Sequence, residues 1–177
     1  TDTSRSLGTL IHAIAEEYPD ADYMTLRGQL EERLSTLALP DTWEGQQIRE
    51  RAEKMVDKLA VYINEIMPGD HRELVGVEGA FRVLVPGDTV NAQISGRVDR
   101  LEKTEDGRYV IVDLKTGKTK PNKNQIAEHA QLAAYQVAVE AGAGDAMSRD
   151  FGVEPDGLNI PAGLEHREVA PQRFEVF

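Results

Sequence analysis

The 177-residue sequence contains no cysteine. Disulfide bonds, zinc sites built on thiolates and iron–sulfur clusters are therefore excluded. No hydrophobic run approaches the roughly 20 residues that a membrane-spanning helix needs, and there is no signal-peptide pattern, so we expect a cytoplasmic protein without a membrane partner. Basic residues are also fewer than acidic ones, so the formal net charge is −11. A domain that binds nucleic acid by itself usually carries a basic surface. Either nucleic acid is therefore not the ligand, or most of the contacts to it come from another part of a larger protein.

The length is enough for one domain with a genuine core. Apolar periodicity predicts a helical portion over residues 1–70, a sheet with a following helix over 71–142, and loop with short strands over 143–177. The chain starts at Thr1 without methionine and stops at Phe177 in a strand-like run. From these ends we expect a domain that has been excised from a longer polypeptide.

Helical spacing of apolar residues predicts four helices. The first contains Leu7 to Ile14, and the second runs from about Met24 to Leu39, where Pro40 follows. The third opens at a sequence resembling a capping box, Asp41-Thr42-Trp43-Glu44, and reaches about Met67. A fourth spans about Gln125 to Ala141. The first three are interpreted as packing elements.

Three strands are predicted between these helices, over Arg72–Val85, Val90–Leu101 and Arg108–Lys115. The last two flank the turn Glu105-Asp106-Gly107. A three-residue loop with Gly107 at positive φ pairs Thr104 with Arg108 and sets Asp99 opposite Asp113. A two-residue turn would instead oppose Asp99 to Leu114. We favour the three-residue loop because it suits Gly107.

Two opposed carboxylates repel each other unless a cation lies between them. Oxygen ligands of this kind suit Mg²⁺ or Mn²⁺, and Lys115 lies on the same face of its strand as Asp113. The Asp99, Asp113 and Lys115 set therefore suggests a metal-dependent hydrolase. The alternative is a surface hairpin with scattered charges.

Four further features are ambiguous when each is taken alone. Glu78 is either a third acid near the metal or, as we favour, the partner of Arg82. A lone histidine such as His12 is more often structural or simply exposed. The lysines that follow the hairpin either contact phosphate or are merely solvated. Gln131 and Tyr135 are one helical turn apart and can reach the same ligand. The lysines in question are Lys118, Lys120 and Lys123.

Two short strands are predicted near the end of the chain, over Glu165–Val169 and Arg173–Phe177. One of them is expected to join the sheet parallel to Arg108–Lys115, with the fourth helix as a right-handed crossover. The fold class is then α/β, with a mixed sheet of antiparallel meander plus parallel crossover strand, flanked by helices.

In combination, these signals resemble a known family. The order His12, Glu78, Gly96-Arg97-Val98-Asp99, Asp113-Leu114-Lys115-Thr116-Gly117 and Gln131…Tyr135 is similar to the RecB-type branch of the PD-(D/E)XK nucleases. The match covers nearly the whole chain to about Gly142. It implies a restriction-endonuclease-like core and a metal-dependent DNA nuclease.

The resemblance also implies a role for each matched residue. Asp99, Asp113 and His12 would bind Mg²⁺ or Mn²⁺ together with the backbone carbonyl of Leu114. Lys115 would position or activate the attacking water. Of the supporting residues, Gln131 and Tyr135 would brace the site or the DNA strand, and Glu78 matches a family glutamate. Lys118, Lys120 and Lys123 could hold a neighbouring phosphate.

The absence of cysteine places the chain with relatives that lack an iron–sulfur cluster. The resemblance further implies a module appended to, or partnered with, an ATP-dependent helicase of the actinobacterial recombinational-repair type. Such a module would act as an exonuclease on single strands in double-strand-break repair. Two alternatives stay open: an inactive nuclease fold kept for DNA binding or scaffolding, and a metal-binding or protein-interaction module without nucleic acid, which the net charge suits better.

Overall fold

A computed structural model of the chain describes residues 2–85, 89–116, 134–135, 137–138 and 172–175. The chain divides into two compact units. The helical unit comprises Thr1–His71, Leu114–Lys120 and Phe174–Phe177, and the strand unit comprises Arg72–Asp113 and Pro121–Arg173. Within the described ranges, no helix is both long enough and apolar enough to cross a membrane.

The helical unit contains three principal helices, α1 (Asp2–Glu17), α2 (Tyr23–Thr36) and α3 (Trp43–Val61). A π-helical segment (Tyr62–Ile66) and a single turn, α4 (Met67–Gly69), prolong α3. The predicted third helix is thus confirmed, although its last part is not α-helical.

Capping residues fix where these helices begin and end. Asp22 caps α2 by accepting a hydrogen bond from the Thr25 backbone N–H at 2.7 Å, and Thr42 caps α3 by accepting one from Gly45 at 3.3 Å. The helix α2 ends at Thr36, three residues before the predicted end. Ala38 has a left-handed φ of 44°, a conformation that commonly terminates helices.

The core of the helical unit is made of aliphatic and other apolar side chains that recur at helical spacing. In each of α1, α2 and α3, buried residues recur every three or four positions and form a continuous stripe, as the sequence pattern predicts. The largest of them are Ile11, Ile14, Leu26, Leu30, Leu34, Met55 and Leu59.

The sheet has four strands in the order β1 (Arg72–Val85), β2 (Ala92–Thr104), β3 (Tyr109–Lys115) and β4 (Gln172–Glu175). The first three form an antiparallel meander. A strand near the chain end does lie beside β3, while its parallel direction stays a prediction.

The β2–β3 hairpin closes with a three-residue loop. The backbone N–H of Thr104 donates to the carbonyl of Arg108 at 2.9 Å, and that of Gly107 donates to the carbonyl of Thr104 at 2.9 Å. Gly107 has φ +81°, a conformation that is costly for residues with a Cβ. The predicted three-residue loop is confirmed, and the two-residue alternative is wrong.

The strand unit has its own apolar core between the sheet and helical residues from the predicted fourth helix. Of that helix, the structure describes Ala134, Tyr135, Val137 and Ala138, which are helical. The other residues of 125–141 and the predicted strand Glu165–Val169 lie outside the described residues. The core side chains are Phe81, Val98, Leu101, Tyr109, Ile111, Tyr135 and Ala138.

Candidate metal centre

Two carboxylates from adjacent strands converge in the strand unit. Val77 pairs with Arg100 and Gly79 with Val98, so Glu78 of β1 lies opposite Asp99 of β2. One carboxylate oxygen of Glu78 lies within 4.8 Å of one from Asp99, and both side chains are half-buried. Half-buried like charges at this separation repel each other, so the pair favours a cation.

Asp113 extends this arrangement to a third strand. Arg100 pairs with Val112 across the β2–β3 hairpin, and one further step along the same register sets Asp99 opposite Asp113. Asp113 is half-buried as well. The register thus places one acid on each of three neighbouring strands.

Glu78 has an unusual backbone and a different partner from the one predicted. Its φ is +52°, in the left-handed region, although it lies within a strand. The Nε of Arg97 lies 2.8 Å from Oε2 of Glu78 and donates to the Glu78 carbonyl oxygen at 3.1 Å. The predicted pairing with Arg82 is wrong, because four residues along an extended strand span about 13 Å.

Aromatic packing holds the β2 strand behind these acids. The hydroxyl of Tyr135 donates to the carbonyl oxygen of Arg97 at 3.1 Å, and its ring meets Phe81 edge-on with centroids 6.0 Å apart. A Cβ added to Gly96 would lie 2.8 Å from the Phe81 ring. Glycine at this position therefore lets Phe81 cross β2 closely, which is a physical reason for the first residue of the Gly-x-x-Asp motif.

The end of β3 belongs to the helical unit. Arg51 of α3 donates to the carbonyl oxygen of Thr116 at 2.8 Å, and a Cβ on Gly8 of α1 would lie 2.7 Å from the Thr116 hydroxyl. His12 is one turn beyond Gly8, so it lies on the same face of α1, and it is half-buried.

The two other predicted residues at this strand end differ in exposure. Leu114 is buried, whereas Lys115 is half-buried on the same face of β3 as Asp113. This alternation follows the period of two that the sequence shows.

The donor types fit a hard divalent cation. Oxygens bound to one Mg²⁺ at about 2.1 Å are about 3–4 Å apart, so carboxylates within 4.8 Å need only a small shift to share an ion. Within the strand unit, Glu78 and Asp99 offer two carboxylate oxygens that could hold a metal ion. Carboxylate oxygens suit Mn²⁺ as well as Mg²⁺.

Four of the predicted site residues lie outside the described part of the chain. These are Lys118, Lys120, Lys123 and Gln131. Their suggested roles in phosphate binding and bracing stay predictions.

Sequence reasoning missed a buried charged cluster beside the site. Glu102 is 0% exposed, and its two carboxylate oxygens meet Arg100 Nε at 2.5 Å and Arg72 Nη1 at 3.3 Å. Strand parity was the available signal, because residues 100 and 102 share a face of β2 with the apolar Val98.

Residues 1–169 match the sequence model of the PD-(D/E)XK nuclease superfamily. No curated protein matches the chain significantly. The family match includes every acid, histidine and lysine discussed above.

Proposed function

Because the chain belongs to the PD-(D/E)XK nuclease superfamily, we propose that it is a DNA nuclease of the RecB type that uses Mg²⁺ or Mn²⁺. The observation that carries the proposal is the convergence of the Glu78 and Asp99 carboxylates on adjacent strands, with Asp113 next in register. Members of this superfamily generally use divalent metals.

The proposed ligands are His12, Asp99, Asp113 and the carbonyl of Leu114, with Glu78 added on the geometry of the strand unit. A bound divalent ion supplies a Lewis acid for the phosphate and lowers the pKa of a coordinated water. The carboxylates of Asp99 and Asp113 would hold the ion from neighbouring strands.

Lys115 would act where negative charge grows during attack on the phosphorus. Its ammonium can donate to the attacking water or to a phosphoryl oxygen, and a preformed donor of this kind typically contributes 10²–10³ in rate. Tyr135 is a positioning residue in this scheme, because its hydroxyl holds the Arg97 backbone two residues before Asp99.

The net charge bears on how DNA would reach the site. The net charge of −11 is a poor match for unaided DNA binding. A fused or partner ATP-dependent helicase would deliver single-stranded DNA to an exonuclease module in double-strand-break repair. The lysines at 118, 120 and 123 would then contact a flanking phosphate.

Cleavage assays test the proposal directly. We expect the protein to degrade labelled single-stranded DNA with Mn²⁺ or Mg²⁺ and not with EDTA. Asp113→Ala should lower the rate about 100-fold or more without loss of folded structure, because it removes a metal carboxylate. Lys115→Ala should have a similar effect.

Asp106→Ala is the matched control, since Asp106 is an exposed aspartate in the turn of the same hairpin. Full activity of Asp113→Ala with metal present would contradict the mechanism. Metal binding by the parent protein without any cleavage of single- or double-stranded DNA would instead support an inactive, DNA-binding or scaffolding module.

A further inference from the structure

The Arg97 side chain contacts both the carboxylate and the backbone carbonyl of Glu78. The same Nε lies 2.8 Å from Oε2 and 3.1 Å from the carbonyl oxygen of Glu78. The Arg97 side chain is 63% exposed, whereas that of Glu78 is 20% exposed. An exposed cation thus covers one of the two converging acids.

The Glu78 backbone needs this kind of support. A non-glycine residue in the left-handed region is strained, and such strain persists where surrounding contacts fix it. The residues on either side of Glu78 are paired with β2, Val77 with Arg100 and Gly79 with Val98. A contact from Arg97 to the carbonyl at the strained residue therefore restrains the direction in which the carboxylate points.

The main chain of Arg97 is itself anchored. Tyr135 donates to its carbonyl oxygen at 3.1 Å, and Tyr135 is buried against Phe81. Because the backbone is fixed from the core side while the side chain is largely exposed, the guanidinium can move without a change in the sheet.

The carboxylates around the Arg97 guanidinium indicate its role. Glu78 and Asp99 place two carboxylate oxygens within 4.8 Å, and a positive charge beside them offsets their repulsion. A divalent ion bound between the same acids would offset it too. The guanidinium and the ion are therefore alternative partners of the Glu78 carboxylate.

We infer that Arg97 is a positioning residue, an internal counter-ion that holds Glu78 in the metal-free protein and competes with the divalent ion for it. The inference rests on the proposed metal centre. Arg97 would then set the metal affinity, because an ion that binds the Glu78 carboxylate has to displace Arg97 or share the carboxylate with it.

Calorimetric titration with Mn²⁺ in the absence of DNA tests this role. Arg97→Gln should bind Mn²⁺ about three- to tenfold more tightly than the parent, since a competing and partly screened positive charge is gone. The difference should shrink as the salt concentration rises. Arg97→Lys keeps the charge and should restore affinity close to that of the parent.

Thermal unfolding provides a second readout that needs no activity. Without metal, Arg97→Gln should melt at a lower temperature than the parent, because two close carboxylates lose a counter-ion. The rise on adding saturating Mn²⁺ should be larger for Arg97→Gln than for the parent.

The double variant Glu78→Gln/Arg97→Gln isolates the contact. In the Glu78→Gln background, Arg97→Gln should change Mn²⁺ affinity less than twofold, because the shared carboxylate is absent. An equally large effect in both backgrounds would overturn the inference, as would an Arg97→Gln protein that binds Mn²⁺ no more tightly than the parent.

The same titrations separate this inference from the proposed function. A parent protein that binds Mn²⁺ and cleaves DNA, beside an Arg97→Gln variant of unchanged affinity, removes only the role of Arg97. A parent that binds no Mn²⁺ removes the metal centre and the counter-ion role together.

Discussion

The two units of the molecule differ in whether they bury charged side chains. In the helical unit, ion pairs lie on the surface: Arg27 meets Asp57 at 2.7 Å, with 31% and 36% of the two side chains exposed. In the strand unit, Arg72 and Arg100 enclose Glu102, and all three are buried. Among the described residues, these three are the buried charged side chains.

The difference indicates what each unit requires of its sequence. Apolar stripes are enough to pack three helices, and the surface ion pairs add little to them. Burying an ion pair costs desolvation energy, so such a cluster is weak evidence for stability. In the strand unit we expect the cluster to influence how the strands are aligned rather than to add stability.

That alignment concerns which face of β2 carries the buried charges. Arg100 and Glu102 share one face with Val98, while Asp99 shares the other with the buried Leu101. A slip of one residue in register would exchange the two faces and remove Asp99 from its position opposite Glu78. We therefore expect the buried cluster to help specify the register on which the acidic site depends.

The largest expected effect in this comparison comes from removing the shared carboxylate. Glu102→Gln leaves two buried guanidiniums beside a neutral amide, and we expect the free energy of unfolding to fall by about 3–5 kcal/mol. Urea denaturation followed by circular dichroism measures this change.

A triple replacement of Arg72, Arg100 and Glu102 by apolar residues of similar volume serves as the control. It removes the charges together, so it should cost much less than Glu102→Gln or even stabilise the protein. A loss below about 1 kcal/mol for Glu102→Gln alone would show that the cluster does not behave as a buried ion network.

A smaller effect is expected at the corresponding ion pair of the helical unit. Asp57 accepts hydrogen bonds from Arg27 at 2.7 and 3.1 Å and from the Tyr23 hydroxyl at 2.9 Å. Asp57→Ala should lower the free energy of unfolding by about 1 kcal/mol, because three contacts are lost at a partly exposed position.

The single contact between Arg49 and Glu31, at 3.3 Å and more exposed, offers the matched control. Arg49→Ala should cost about 0.5 kcal/mol or less. If Asp57→Ala proved as costly as Glu102→Gln, burial would not be what distinguishes the two units.

The sequence predicted the helical unit and the hairpin well because local rules determine both. Helical periodicity located the buried stripes, and the turn chemistry of Gly107 selected the register that leads to Asp99 opposite Asp113. Boundaries failed where a backbone conformation decided them, as at Ala38, whose left-handed φ no propensity rule anticipates.

The site was less accessible to sequence reasoning because it depends on cross-strand neighbours. Glu78 was paired with Arg82 because both fall on the polar face of the predicted strand, whereas pairing of β1 with β2 brings Glu78 to Arg97. The register of β1 against β2 is regular from Val85↔Ala92 to Gly76↔Leu101 and includes the position of Glu78, but these two strands were not paired from the sequence.

The smallest expected effects concern one exposed aspartate in each unit. The backbone N–H of Thr25 lowers the pKa of Asp22 in the helical unit, and the Thr104 hydroxyl lowers that of Asp106 in the strand unit. A carboxyl whose pKa is lower in the folded than in the unfolded protein stabilises the fold once it is ionised. Each contribution is therefore present above the ordinary value of 3.8 and is lost as the pH falls through the lowered value.

Asp22→Asn and Asp106→Asn keep an acceptor oxygen but cannot ionise, so each should shift the midpoint of acid unfolding to slightly lower pH. At neutral pH both variants should be marginally less stable than the parent, since asparagine caps well but carries no charge for the helix terminus or for Arg108. Thermal melts between about pH 7 and pH 2.5 measure both quantities. Parent-like acid sensitivity in both variants would mean that neither surface carboxyl contributes, and the acid response would then have to arise from other carboxyl groups of the protein.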